Sequence, residues 1–146
     1  MDLFGDGADF LDEDLGDANL AAEVQRERRA LADWGARTLA TRRPELPPHR
    51  GIKGVRTLEA DLDVMLRQLG AALAAGDPEP MQRHARWYEQ VVQGRPHGPE
   101  ALAAGVEILA EGLLRFLGAE RGNRAARWLL DAHAAAAPPD VRPFLG

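Results

Sequence analysis

The stretch "VRTLEADLDVMLRQLGAALAAGDPEP", residues 55–80, decides the fold class. Apolar side chains recur in it at steps of four, three, four and three residues: Leu58, Leu62, Met65, Leu69 and Ala72. That spacing is typical of one buried face of an α-helix, and we expect this helix to run from about Val55 to Ala75. Gly76 then predicts a C-terminal cap, Asp77 the N-cap of the next helix, and Pro78 its first position.

The rest of the chain shows the same helical periodicity, interrupted by Pro/Gly turns. It predicts further helices at about Ala18–Arg42, with Asp17 as N-cap, at about Pro78–Gln93, from Pro99 until Gly122 separates it from the next, and at about Asn123–Ala137. Few residues are β-branched, so the fold class is all-α. We predict a four- to five-helix bundle or a globin-like packing over residues 18–137, preceded by a disordered acidic N-terminal arm (residues 1–17) and followed by a C-terminal tail (residues 138–146).

The composition of the chain limits its domain count, its cysteine chemistry and its relation to membranes. A chain of 146 residues fits one domain. It has no Cys, which excludes disulfides and thiolate metal sites. No apolar run approaches the roughly 20 residues of a membrane span, and the N-terminus is acidic where a signal peptide is basic. We therefore expect a cytoplasmic protein that does not enter a membrane.

Charge is distributed very unevenly along the chain. Residues 1–17 carry seven acids and no base, whereas the remaining residues hold 18 bases and 16 acids. Bases are concentrated within residues 26–56, here called the basic shoulder: Arg26, Arg28, Arg29, Arg37, Arg42, Arg43, Arg50, Lys53 and Arg56. An acidic arm and a basic shoulder in one chain indicate a surface matched to something acidic. We expect no nucleic-acid binding, because the chain as a whole is acidic, with a net charge of −5.

The arm "MDLFGDGADFLDEDLGD" can be aligned with a calcium-binding loop, but position 3 of that loop is Phe4, which has no oxygen ligand. Two interpretations remain: a solvated tail, or an acidic-hydrophobic segment that orders on a basic groove. The second uses the large apolar residues set among the acids: Leu3, Phe4, Phe10, Leu11 and Leu15. The groove would belong to a partner protein or to this chain's own shoulder, where the candidate contacts are Arg42, Arg43, Arg50 and Lys53.

No catalytic constellation is visible, and we expect no enzyme. Glu107 and Glu111 lie one helical turn apart, but the Glu-x-x-His motifs of a di-iron bundle are absent. His84 lies within a helix, one turn before Tyr88, where a histidine either binds a haem or cobalamin metal or sits at the edge of the core. The three tryptophans have two interpretations, core packing or an aromatic-lined pocket between helices.

Three pieces carry a resemblance: "RRPEL" at 42–46, "ALAAGDPE" at 72–79 and "ARW" at 85–87. In their order and spacing they resemble a bacterial all-helical regulatory domain that accompanies cobalamin-binding sensory proteins; a weaker likeness is to haem-free globin-like sensor domains. The resemblance implies a helical module that senses or relays, with Trp87 facing a ligand. At Met65 the chain departs from the family pattern, which has a His there.

Two functional hypotheses follow. The first is a non-enzymatic regulatory or sensory module that acts through protein contacts, with cobalamin or another tetrapyrrole as the candidate ligand. Its candidate ligand-binding residues are Trp87, His84, Tyr88, Met65 and Trp34. The second is a ligand-free adaptor whose acidic arm docks a partner protein. An exposed bundle face would also suit a homodimer.

Overall fold

Five α-helices follow one another through residues 17–136, the part of the chain that the computed structural model describes. They are α1 (Ala18–Arg42), α2 (Gly51–Ala75), α3 (Glu79–Val92), α4 (Gly98–Leu117) and α5 (Ala119–Ala136). Residues 17–136 contain no β-strand. The predicted all-α helical bundle is confirmed. Except for Asp17, the predicted arm and tail lie outside the described residues.

Helices α1 and α2 form an antiparallel pair. At one end, the Asp17 backbone N–H donates to the Leu73 carbonyl oxygen at 2.8 Å. Further along, Arg28 forms an ion pair with Asp63. The Asp17 side chain also accepts from the Leu20 N–H at 2.9 Å, so the predicted N-cap is confirmed.

Leu62 lies where α1, α2 and α4 meet. This fully buried side chain packs against two glycines, Gly35 on α1 and Gly105 on α4. A Cβ on Gly35 would lie 3.1 Å from one Leu62 methyl group, and a Cβ on Gly105 would lie 3.2 Å from the other. The absence of side chains on both glycines therefore lets three helices close around one leucine. Burying such a side chain stabilises the fold by about 1.5–3 kcal/mol.

The core around this contact is apolar. Its largest fully buried side chains include Leu20, Leu31, Leu66, Leu69, Leu109, Leu113 and Leu129. No polar or charged residue among residues 17–136 is fully buried. The predicted stripe of α2 is confirmed, since all five of its residues are buried.

Two helix boundaries differ from the prediction. Helix α2 begins at Gly51, four residues before the predicted start, and Leu46 in the proline-rich loop before it is buried in the core. Gly122 does not separate the last two helices, so that prediction is wrong. The break falls at Gly118, whose φ of +88° favours glycine, whereas Gly122 is buried inside α5.

The turn between α2 and α3 was predicted closely. Gly76 caps α2 in the left-handed conformation, with φ of +68°. The helix begins at Glu79 rather than at Pro78, and Pro78 is its capping residue. Asp77 still acts on the new helix, because its Oδ1 accepts from the Glu79 N–H at 3.0 Å.

Gly122 provides a test of this packing. A Cβ there would lie 2.4 Å from the Leu113 carbonyl oxygen and 2.7 Å from Leu114 Cα. Both are backbone atoms of α4, so the helices must separate. We expect Gly122→Ala to lower the free energy of unfolding by about 1–3 kcal/mol, measured by chemical denaturation. The control is Asn123→Ala on the exposed face of the same helix. A stabilised Gly122→Ala protein, as helix propensity alone would give, would contradict the packing.

Candidate functional site

Three of the predicted ligand-binding residues form an aromatic cluster on α3. The ring centroids of His84 and Trp87 lie 5.6 Å apart, and the His84 ring stacks on Tyr88 at 6.0 Å. Tyr88 is buried, but Trp87 is 56% exposed. Partial burial lowers the pKa of His84. The cluster therefore joins the core through Tyr88 and presents the Trp87 indole to solvent.

A small cavity lies between α2, α3 and α4, and Met65 and Tyr88 both line it. Arg95 Nη1 donates to Tyr88 Oη at 3.3 Å and to Asp61 Oδ2 at 3.2 Å. Burial, followed by the interaction with Asp61, raises the pKa of Tyr88. The cavity encloses about 30 Å³, room for about one water molecule. Pockets for small-molecule ligands usually hold about 300–1,000 Å³.

Trp34 lies elsewhere. Its ring packs edge-on against Phe116 of α4, with centroids 6.1 Å apart, and the Arg115 guanidinium lies 5.3 Å from the indole centroid. The five predicted ligand-binding residues thus lie in two regions. Tyr88 connects the surface cluster of His84 and Trp87 to the small cavity that Met65 also lines. Trp34 lies apart from them, on α1 against α4.

His133 of α5 lies close enough to His84 for the charge of His84 to lower the pKa of His133. The Nδ1 atom of His133 is shielded from solvent and has no hydrogen-bond partner within residues 17–136. Burial, and then the nearby His84, lower the pKa of His133 to about 4. The histidine is therefore neutral in the folded protein at neutral pH.

Neither a metal-binding cluster nor a membrane-spanning helix occurs within residues 17–136. No group of three or more histidine and acidic side chains in this range could hold a metal ion. Within the same range, no helix combines the length and hydropathy needed to cross a bilayer.

Two predicted partner-binding arginines are occupied by ion pairs. Arg42 forms a bidentate pair with Glu111 of α4, at 2.8 and 3.1 Å. Arg43 bonds to Glu45 at 2.8 Å and approaches Glu100 at 3.5 Å. The hydrogen bond and charge of Glu111 raise the pKa of Arg42, and that bond lowers the pKa of Glu111. These pairs tie the end of α1 to α4.

The other two predicted partner-binding cations form no ion pair with the described residues. Arg50 and Lys53 are exposed and have no acidic partner among the described residues. The same holds for Arg29 and Arg56, which belong to the basic shoulder. The structure therefore divides the shoulder into arginines that hold helices together and cations that face solvent.

Arg29 and Arg56 border a surface groove between α1 and α2, here called the α1–α2 groove. It holds about 420 Å³ and is lined by Arg28, Arg29, Ala32, Arg56, Glu59, Ala60, Asp63 and Arg67. Asp63 is engaged by Arg28 and by Arg67, the latter at 3.1 Å. Arg28 Nε is buried and has no acceptor among the described residues. The lining of the groove thus includes two alanines and holds more arginines than acids. The cations at its edge have no acidic partner among the described residues.

The groove continues along α2 into a second depression of about 470 Å³, which shares Arg56 and Ala60. This depression adds Lys53 and Ile52, and Ile52 is 62% exposed. Sequence reasoning missed Ile52 because the predicted helix began only at about Val55. Only the earlier start of α2 places Ile52 and Lys53 in the first turn of a helix beside Arg56. The extended groove therefore presents an apolar side chain among unpaired cations.

His133 gives the protein a predictable response to acid. An unfolded histidine titrates near 6.5, whereas folded His133 titrates near 4. Between these two pH values the unfolded state binds more protons than the folded state. The stability that the folded protein owes to neutral His133 is therefore fully present above pH 6.5 and is lost as the pH falls toward 4. We expect unfolding free energy to fall by about 2 kcal/mol more in the parent than in His133→Leu between pH 7 and pH 5.

This difference is measured by urea denaturation at each pH. His49→Leu is the matched control, because His49 is exposed in the proline-rich loop. Parallel pH profiles for the parent and His133→Leu would refute the assignment.

Comparison with protein-family models, curated proteins and solved structures finds no match for this chain. The resemblance to a regulatory domain of cobalamin-binding sensory proteins stays a prediction.

Proposed function

We propose that this protein is a non-enzymatic interaction module whose α1–α2 groove binds an acidic, apolar-bearing segment of a partner protein. The proposal rests on three exposed cations, Arg29, Lys53 and Arg56, which have no acidic partner among residues 17–136 and which border the groove that ends at the exposed Ile52. Scattered surface cations are ordinary, but here they border one continuous groove.

Charge supports an acidic ligand. Two of the three acids that line the groove and its extension are already engaged, since Asp63 is shared by Arg28 and Arg67, and Asp61 is paired with Arg95 at 3.2 Å. The third, Glu59, forms no ion pair within residues 17–136, but the groove still holds more cations than acids. The cations at the edge therefore retain their attraction for an incoming carboxylate. Exposed charges of this kind raise association rates and select partners by sign, and salt weakens their effect.

Apolar surface supports a ligand that also carries leucine or phenylalanine. Ile52 and the Ala60 methyl group offer apolar contact area that a ligand with only acidic side chains would leave exposed to solvent. A segment with apolar residues between acids could bury this area while its carboxylates meet the arginines. Burial contributes about 25 cal/mol per Å² of apolar surface, so even one isoleucine adds usefully to weak ion pairs.

The sensory alternative has weaker support. Trp34 lies apart from the other four candidate residues, and the cavity beside Met65 and Tyr88 holds about 30 Å³. A tetrapyrrole would need the helices to separate there. The adaptor hypothesis requires no rearrangement, because the α1–α2 groove is open to solvent.

A peptide titration tests the proposed groove. The probe is a fluorescein-labelled peptide, DLFGDGADFLDEDLGD, identical to residues 2–17 and added to the full chain. We expect binding that weakens with added salt, and at least about a 10-fold loss of affinity in the double variant Arg29→Glu/Arg56→Glu. Fluorescence anisotropy gives both dissociation constants.

The matched control is Arg83→Glu/Arg127→Glu, which reverses two exposed arginines outside the groove. Circular dichroism establishes that both variants are folded. Equal losses in the two variants would refute the groove, because they would show attraction to overall charge alone.

A second titration separates the sensory alternative. We expect added cobalamin or haemin to leave the tryptophan fluorescence of the protein unchanged after correction for the ligand's own absorption, because no described cavity near Trp87 encloses a ring of that size. Saturable quenching that Trp87→Phe abolishes would favour the sensor over the adaptor.

A further inference from the structure

We infer that the chain's own residues 1–16 occupy the α1–α2 groove in the free protein, so that a partner's acidic segment must displace them. The inference rests on the proposed function, since it names an occupant for the same groove. It makes the module self-regulated, with its affinity for partners set by an internal competitor.

Complementary charge is the first argument. Residues 1–16 contain six acids and no base. Across the groove, the exposed Arg29, Lys53 and Arg56 have no acidic partner among residues 17–136. An excess of acid in one part of the chain thus matches unpaired cations in another.

Apolar complementarity is the second argument. Acids alone would suit the arginines, but the segment also carries Leu3, Phe4, Phe10, Leu11 and Leu15. The groove offers an exposed isoleucine, Ile52, next to Lys53 and Arg56. Residues 1–16 place leucine and phenylalanine among carboxylates, and the groove places Ile52 beside cations. The two patterns are therefore complementary in both charge and apolar surface.

Reach is the third argument. The segment joins the described chain at Asp17, which is held beside Leu73 by its backbone and beside Arg124 by its side chain at 3.2 Å. Arg29 lies twelve residues further along α1, or about 18 Å at the helical rise. Ile52 lies at the opposite end of the antiparallel α2, about 30 Å from Asp17. Sixteen extended residues span up to about 50 Å, so both ends of the groove are within reach.

Tethering makes weak complementarity sufficient. A segment attached near its site has an effective concentration on the order of 1 mM. If the groove binds this sequence with a dissociation constant on the order of 0.1 mM, the tethered copy fills it about nine-tenths of the time. An added peptide then binds about 10-fold more weakly than it would to an empty groove.

Spin labelling of the full chain tests the inference directly. The sequence contains no cysteine, so Ala8→Cys places one nitroxide in the segment without further substitutions. We expect the label to broaden the backbone amide signals of Lys53, Arg56 and Ala60 but to spare those of Arg127 on α5. Arg29→Glu/Arg56→Glu should abolish this broadening, and Arg83→Glu/Arg127→Glu should preserve it.

A mixed sample distinguishes the chain's own segment from that of a second copy. It contains ¹⁵N-labelled protein without nitroxide and spin-labelled protein without ¹⁵N. We expect no groove broadening in this mixture. Broadening there as strong as in the single sample would overturn the inference and assign the segment to a neighbouring molecule. Absence of broadening in the doubly labelled protein would overturn it outright.

An affinity measurement separates this inference from the proposed function. Replacing the six acids of residues 1–16 by their amides in the full chain should strengthen binding of the labelled peptide about 10-fold. Unchanged affinity, with the peptide still sensitive to Arg29→Glu/Arg56→Glu, would overturn self-occupancy and leave the groove's function standing. No peptide binding to either protein would overturn both.

Discussion

The contact of Leu62 with Gly35 and Gly105 determines how closely α1, α2 and α4 approach one another. Because neither glycine has a side chain, the three helices approach closely around one buried leucine. That closeness brings Arg28 within reach of Asp63 on the outer side of the α1–α2 pair. The surface chemistry of the groove is therefore a consequence of apolar packing beneath it.

Ion pairs then divide the basic shoulder by role. Arg42 and Arg43 meet Glu111 and Glu100, so they join α1 to α4. Exposed pairs of this kind contribute little stability individually, about 0–1 kcal/mol. Their larger effect is on specificity, because they neutralise one part of the shoulder and leave Arg29 and Arg56 as free charges beside the groove. Function in this account arises from which cations remain unpaired.

Helical periodicity predicted much of the fold, but little of the site. The stripe through Leu62 predicted the buried face of α2, because burial dictates its spacing, but it did not predict where the helix begins. Gly122 was misassigned because a glycine at a turn and a glycine under a crossing helix look alike in sequence. Sequence also could not separate Arg42 from Arg56, because pairing depends on the helix that lies opposite. Ile52 was missed for a similar reason. It is exposed in the first turn of α2, and the glycines on either side of it in the sequence are typical of a turn rather than of a helix start.

A charge-exchange titration tests whether the cations of the α1–α2 groove bind the acidic segment. The groove is reversed in Arg29→Glu/Lys53→Glu/Arg56→Glu, and the probe peptide is reversed by replacing its acids with lysine. The account predicts that the lysine peptide binds the reversed groove, that the acidic peptide does not, and that the parent protein shows the opposite preference. If the acidic peptide binds both proteins equally, the α1–α2 groove is not where it docks.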